Sequence, residues 1–211
     1  MSLFYQHNIN ENTRLGIWKI EEPENYFLEK VPLKNEITHP RKRLQHLAGR
    51  YLLKVLYPDF PYEEILIADT RKPYLPEEQY HFSISHSGDF AAAIVSRKER
   101  VGIDIEKPSQ KIAAIGPKFL NHPEVGIVGA SPEPLVCTTL IWCAKETIFK
   151  WWSYGGIVFR EDIRLMPFPY RETGLIDSLL IRTDHTFALT LTYRLFAELT
   201  LVWLHREQPG T

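Results

Sequence analysis

Cysteine is nearly missing from this chain. The two present among 211 residues, Cys137 and Cys143, lie six apart without metal-ligand spacing, so neither a disulfide scaffold nor a structural zinc is indicated. They read as reduced core thiols. No apolar run approaches the roughly 20 residues that span a bilayer, and the polar start of the chain, residues 1–12, lacks the apolar heart of a secretory signal. Neither sign of charge is in excess, since 25 Lys and Arg face 26 Asp and Glu for a formal net charge of -1. No global field therefore recruits nucleic acid or an anionic membrane, and any cationic site must be local. Also missing are Gly-x-x-x-x-Gly-Lys, Gly-x-Ser-x-Gly, His-Glu-x-x-His and paired Cys-x-x-Cys, which removes whole enzyme classes. A soluble cytoplasmic protein is expected, and 44% apolar residues suit one globular domain or two small packed halves.

What is present centres on Val101-Gly-Ile-Asp-Ile-Glu106. Strand side chains alternate between faces, so Asp104 and Glu106 emerge together while Ile103 and Ile105 enter the core. Two neighbouring carboxylates repel unless a divalent metal, a Lys or Arg, or bulk water separates their charges. An isolated Asp-x-Glu pair most often faces water.

Earlier in the chain, alternation predicts a strand over 13–20, and apolar spacing predicts a helix from Pro40 to Tyr57 with a start near Thr38 or His39. Leu44, Leu47, Tyr51, Leu52 and Val55 form its buried stripe. At about 100° per residue, Arg43, His46, Arg50 and Lys54 share one flank, either a solvated basic face or a place for a multiply charged anion. A short strand at 65–68 leads into Asp69-Thr-Arg-Lys-Pro-Tyr74, a turn with two more cations. Residues 80–106 then read as a three-stranded antiparallel meander, with an irregular bend at Ser85-His86-Ser87. Ser85 and His86 point to opposite faces, and no serine occupies a nucleophile turn, so a Ser-His hydrolase is a poor reading.

A Pro- and Gly-rich crossing with a helical piece at 112–120 precedes a second helix, about Glu133 to Trp152. Its buried face holds Ile141, Trp142, Lys145, Ile148, Phe149 and Trp152. Glu146 and Lys150 stand one turn apart beside that face, as a routine surface ion pair or as a third carboxylate with its lysine. Strands follow at 157–165, 174–182, 186–193 and 199–205. The fold expected is α+β, with two similar halves, 1–106 and 107–211, related by pseudo-two-fold symmetry. Each half places a long helix on an antiparallel meander, and the active cleft lies at their seam. With both halves in one chain, a monomer suffices.

Three stretches in this order, Phe82-Ser-Ile-Ser-His-Ser-Gly88, Val101-Gly-Ile-Asp-Ile-Glu106 and Trp142-Cys-Ala-Lys-Glu-Thr-Ile-Phe-Lys150, resemble the 4'-phosphopantetheinyl transferase superfamily in its larger pseudo-dimeric type. The likeness runs from about Pro40 to Gly156. It implies transfer of phosphopantetheine from coenzyme A to a serine of an apo acyl or peptidyl carrier protein, with release of 3',5'-adenosine bisphosphate. It further implies that Asp104 and Glu106 hold Mg²⁺, and that Glu146 either completes the coordination or takes the serine proton. Lys150 would meet a phosphate oxygen or the leaving group, and Lys72, Ser85 and His86 would contact coenzyme A, with Arg43 and Arg50 as further contacts. Arg71 stands where the family commonly has glycine, Thr147 where a small residue or serine follows the glutamate, and Trp151-Trp152 precede Gly155-Gly156 in place of a more open loop. Two other classes remain: a catalytically silent module that binds coenzyme A or a carrier, and a metal-dependent phosphohydrolase.

Overall fold

Punctuation by proline and glycine and the two hydrophobic periods divide the chain into eleven strands and seven α-helices among the described residues. A computed structural model of the chain describes residues 2–31, 33, 37–70 and 72–206; Arg71, in the turn before Lys72, lies outside them. The order is β1 (Leu3–Asn8), β2 (Thr13–Lys19), α1 (Glu24–Leu28), α2 (Pro40–Leu56), β3 (Leu66–Ile67), β4 (Pro73–Tyr74), β5 (His81–Ser87), β6 (Phe90–Ser96) and β7 (Arg100–Glu106). It continues with α3 (Gln110–Ala114), α4 (Gly116–Phe119), α5 (His122–Ala130), α6 (Pro134–Trp152), α7 (Phe159–Asp162), β8 (Ile163–Leu165), β9 (Thr173–Ile181), β10 (Thr186–Leu195) and β11 (Thr200–Arg206). Helix and sheet are thus mixed, as an α+β fold requires.

The chain divides into two compact units, 1–103 with 205–211, and 104–204. In the first, a four-stranded sheet runs β1-β2-β6-β5, and α2 packs on it through Leu47, Ala48, Leu52, Leu53 and Leu56, all 1% exposed or less. Each such leucine contributes roughly 1.5–3 kcal/mol of transfer free energy. Pro40 is the first residue of α2, where its missing N–H costs nothing, and the His39 ring accepts a hydrogen bond from the Lys42 backbone N–H at 3.4 Å. Gly49 lets the helix come close to the sheet, because a Cβ there would lie 2.7 Å from Ile84 Cγ2.

In the second unit the sheet runs β7-β11-β10-β9-β8, with Asp104 to Glu106 as the part of β7 that belongs to it. Helix α6 buries Leu140, Ile141, Ala144 and Ile148 completely. It ends at Ser153, whose φ of 70° makes the left-handed turn that stops a helix. Both cysteines are buried thiols on this helix.

The meander expected over 80–106 does not form as such. Strands β5 and β6 pair antiparallel, but β2 takes the other edge of β6 from Thr13↔Ser96 to Lys19↔Phe90, so β7 leaves for β11. Nor is Ser85-His86-Ser87 a bend. It stays in register through Ser87↔Phe90, and Gly88, at φ 57°, supplies the positive angle that a two-residue hairpin turn needs at its first central position. The strand expected over 157–165 is confined to β8, because α7 occupies Phe159–Asp162.

Candidate active site

Period-two geometry on β7 does put Asp104 and Glu106 on one face. Asp104 is 3% exposed, Glu106 is half-buried, and Ile103 and Ile105 are wholly buried on the other side. Helix α6 brings Glu146 and Lys150 to the same place, one turn apart. The Lys150 Nζ donates to Asp104 Oδ1 at 2.7 Å, with side-chain exposures of 23% and 5%. The residue after Glu146 anchors the helix here, for the Thr147 hydroxyl donates to the Val202 carbonyl on β11 at 3.2 Å.

Burial raises the Glu146 pKa to about 7, and repulsion from Asp104 and then Glu106 adds to it against the pull of Lys150. Those causes locate all three carboxylates and the lysine in one electrostatic neighbourhood. Cys143, one turn earlier on α6, is also part of it. Burial first, then the Asp104 and Glu106 charges, hold its thiol well above the ordinary range, so it remains an S–H beside Asp104.

The donor set is all carboxylate oxygen, the chemistry that magnesium selects, and its mutual repulsion is what a divalent cation relieves. The residues therefore fit the ion. Among the described residues, however, no group of three or more His, Cys, Asp or Glu side chains is set as a ready metal cage. The lysine that meets Asp104 directly is Lys150.

The residues expected to meet coenzyme A all belong to the first unit. Arg50 is 8% exposed and its Nε donates to His46 Nε2 at 2.7 Å. The guanidinium keeps its proton, so the ring nitrogen facing it must be the unprotonated one. Accordingly the His46 pKa falls to about 4, chiefly through burial, then through Arg50 and His86. His86 is exposed on β5, whereas Ser85 beside it is 6% exposed.

Arg43 is differently held. Its Nε donates to Glu24 Oε1 at 2.8 Å and its Nη1 to the Ile37 carbonyl at 2.9 Å. Lys54 reaches Glu63 at 3.7 Å. The expected single basic flank is thus split between a tether at the helix start, a buried Arg50-His46 pair near His86, and a loose ion pair at the end.

Lys72 is half-buried. Burial lowers its pKa to about 7, with help from Arg100 and opposition from Glu78. His81 shares these neighbours, and burial lowers its pKa too. Sequence reasoning missed Arg100 and His81 as companions of Lys72. The signal existed, because Arg100 lies on the β7 face of Asp104 and Glu106 at period two, and His81 alternates with Ser83 and Ser85. Among the described residues no helix is long and apolar enough to cross a membrane.

Residues 100–195, which hold the whole carboxylate cluster, match the family model of the 4'-phosphopantetheinyl transferase superfamily. The chain is 31% identical over 153 residues to a putative 4'-phosphopantetheinyl transferase of Haemophilus influenzae, covering 69% of this chain and 64% of that protein. It is 40% identical over 116 residues to enterobactin synthase component D of Escherichia coli K12, covering 52% and 54%. With the 4'-phosphopantetheinyl transferase AcpT of that strain, identity is 37% over 128 residues, covering 56% and 62%. The matches thus span between 54% and 64% of these relatives' own lengths.

Proposed function

Because the chain belongs to the 4'-phosphopantetheinyl transferase superfamily, we propose that it moves the 4'-phosphopantetheine group of coenzyme A to a serine of an apo acyl or peptidyl carrier protein. The reaction is Mg²⁺-dependent and releases 3',5'-adenosine bisphosphate. The observation that carries this reading is the convergence of Asp104, Glu106 and Glu146 with Lys150 on Asp104.

The serine oxygen forms a bond to the β-phosphorus of the pyrophosphate. The bond from that phosphorus to the bridging oxygen breaks, and the oxygen leaves on the adenosine bisphosphate. Asp104 and Glu106 would hold the magnesium, which supplies charge neutralisation at the pyrophosphate oxygens. Glu146 either joins them or accepts the serine proton, and both roles suit a carboxylate on a rigid helix. Lys150 orients Asp104 and offers its charge to the leaving phosphate. In the first unit, Arg50, Lys72, Ser85 and His86 contact coenzyme A, with Arg43 as a further contact.

The proposal includes an internal duplication into halves 1–106 and 107–211. Supporting it, each unit packs one long helix, α2 or α6, on a largely antiparallel sheet. A monomer in the cytoplasm then suffices.

The test is incubation with coenzyme A, Mg²⁺ and a panel of apo carrier domains, followed by intact-mass measurement of the carriers. A phosphopantetheine increment on one of them is expected. Tight coenzyme A binding with no increment on any carrier would leave a silent binding module, and coenzyme A cleavage without a carrier would leave a phosphohydrolase.

A further inference from the structure

A lysine in the middle of an apolar helix face needs an explanation that the transfer chemistry does not supply. Lys145 lies on α6 next to Glu146, is 0% exposed, and aims away from solvent. Its Nζ meets Glu124 Oε2 at 2.7 Å and donates to three backbone carbonyls, Phe119 at 2.8 Å, Phe159 at 2.9 Å and Ile163 at 3.0 Å. Those partners use up an ammonium that has only three protons to donate.

Glu124 is equally tied down. It too is 0% exposed. Its Oε2 accepts the Asn121 backbone N–H at 3.0 Å and closes the capping box of α5, while its Oε1 accepts the Leu165 backbone N–H at 3.1 Å. One sealed ion pair therefore ties α6 to the end of α4, the start of α5, α7 and β8. Against these short elements α6 also packs apolar side chains such as Leu140, Ile141 and Ile148, and apolar contact is non-directional. A charged pair with fixed donors and acceptors specifies position where grease does not.

We propose that Lys145 and Glu124 are positioning residues, which fix the rotation and axial height of α6 so that Glu146 and Lys150 meet Asp104 and Glu106. Lys145 touches no substrate phosphate. The effect on catalysis rests on the transferase reading above; the effect on the helix does not.

Trp142 provides a local reporter. It packs edge-on against Phe119 at 5.0 Å between ring centroids and at a tilt against Phe159 at 5.6 Å, two of the residues whose carbonyls Lys145 grips. The experiment compares wild type with Lys145→Met/Glu124→Gln, which removes both charges together and so leaves no buried charge unmatched. It measures the melting temperature, the near-ultraviolet circular dichroism referenced to Trp142→Phe, and kcat and KM for coenzyme A with the accepted carrier.

The expected result is a folded protein with an altered Trp142 signal, kcat lowered at least about tenfold per folded molecule, and KM for coenzyme A within about threefold of wild type. An unchanged kcat per folded molecule would overturn the proposal, since the pair would then only fill space. So would a raised KM at constant kcat, which would make Lys145 a substrate contact. If the double variant does not fold, Glu124→Asp, which keeps the charge opposite Lys145 but draws the carboxylate back by one methylene, is read by the same criteria. If wild type transfers nothing to any carrier, the transferase reading falls, and an unchanged Trp142 signal in the folded variant still overturns the positioning role.

Discussion

Two lysines five residues apart on one helix each meet a carboxylate at 2.7 Å, yet the surroundings of the two pairs differ in kind. Around Lys145 both side chains of the pair are fully buried, and the lysine's other partners are three backbone carbonyls. Around Lys150 the lysine is 23% exposed, and two more carboxylates share its neighbourhood. The first arrangement has a satisfied partner for each charge and no room for a ligand. The second has more negative charge than one lysine offsets. Stripping a partner from a sealed pair costs about 3–5 kcal/mol, because the remaining charge stays buried. Stripping one from the open pair leaves a lysine that water can reach, so the loss falls on chemistry instead of folding.

Asp104→Ala puts the largest strain on that contrast. Transfer to the accepted carrier is expected to fall by roughly 10²- to 10³-fold or more, the scale of losing a principal electrostatic group in an active site, while the melting temperature drops only a few degrees. Intact-mass kinetics and a thermal melt measure the two effects on one sample. Substantial Mg²⁺-dependent transfer by the variant would remove Asp104 from the metal role. Collapse of the fold with transfer per folded molecule unchanged would make the Lys150 pair structural like its neighbour.

Lys72 carries the comparison into the first unit, where a lysine is again half-buried but has Arg100 as well as Glu78 for charged neighbours. Its pKa of about 7 means that it gives up its proton as pH rises through neutrality. A phosphate contact needs the protonated form. The apparent KM for coenzyme A should therefore rise by about fivefold between pH 7 and pH 8, the ordinary consequence of titrating one required group through its pKa. Lys72→Met should bind more weakly at pH 7 and show a flat profile. A wild-type KM that is level across this range, or a slope that survives in Lys72→Met, would exclude Lys72 from the phosphate site.

How far this site is legible from residues alone depends on whether the signal is local. The two long helices announce themselves through apolar stripes bounded by Pro40, Pro58 and Gly155-Gly156, and the Asp104/Glu106 face through simple alternation. Edge strand β1 escapes such reading because an edge with exposed Phe4 and polar Gln6, His7 and Asn8 has little buried face to impose a period. Helix α5 is hidden by Pro123, Gly126 and Gly129, and both glycines face open space where a Cβ would meet nothing within 4 Å. The departure of β7 from its hairpin neighbours depends on β2, some 80 residues earlier by register, having already filled the edge of β6. Lys145 falls on the buried face by periodicity alone. A lysine at an apolar position always demands a partner, but the identity of that partner as Glu124 needs the fold.

The smallest expected effect tests the same distinction between a charge held for structure and one held for a ligand. Arg43 and Arg50 lie two turns apart on α2, and the proposed function would make both coenzyme A contacts. Arg43 has its guanidinium engaged with Glu24 and the Ile37 carbonyl, so it must leave both to meet a phosphate. Arg50 is buried against the neutral ring of His46, close to His86, in a setting that holds no carboxylate among the causes shifting either His46 or Arg50. Arg43→Ala should accordingly raise KM for coenzyme A by no more than about threefold, against at least about tenfold for Arg50→Met, the usual difference between a peripheral and a well-desolvated ionic contact. A double variant Arg43→Ala/Glu24→Ala separates the two contributions of the tether. If freeing α2 from Glu24 leaves KM where Arg43→Ala alone left it, Arg43 serves the helix start. If Glu24→Ala alone tightens coenzyme A binding, Arg43 was being kept from a phosphate by its carboxylate, and the two arginines belong to one anion site after all.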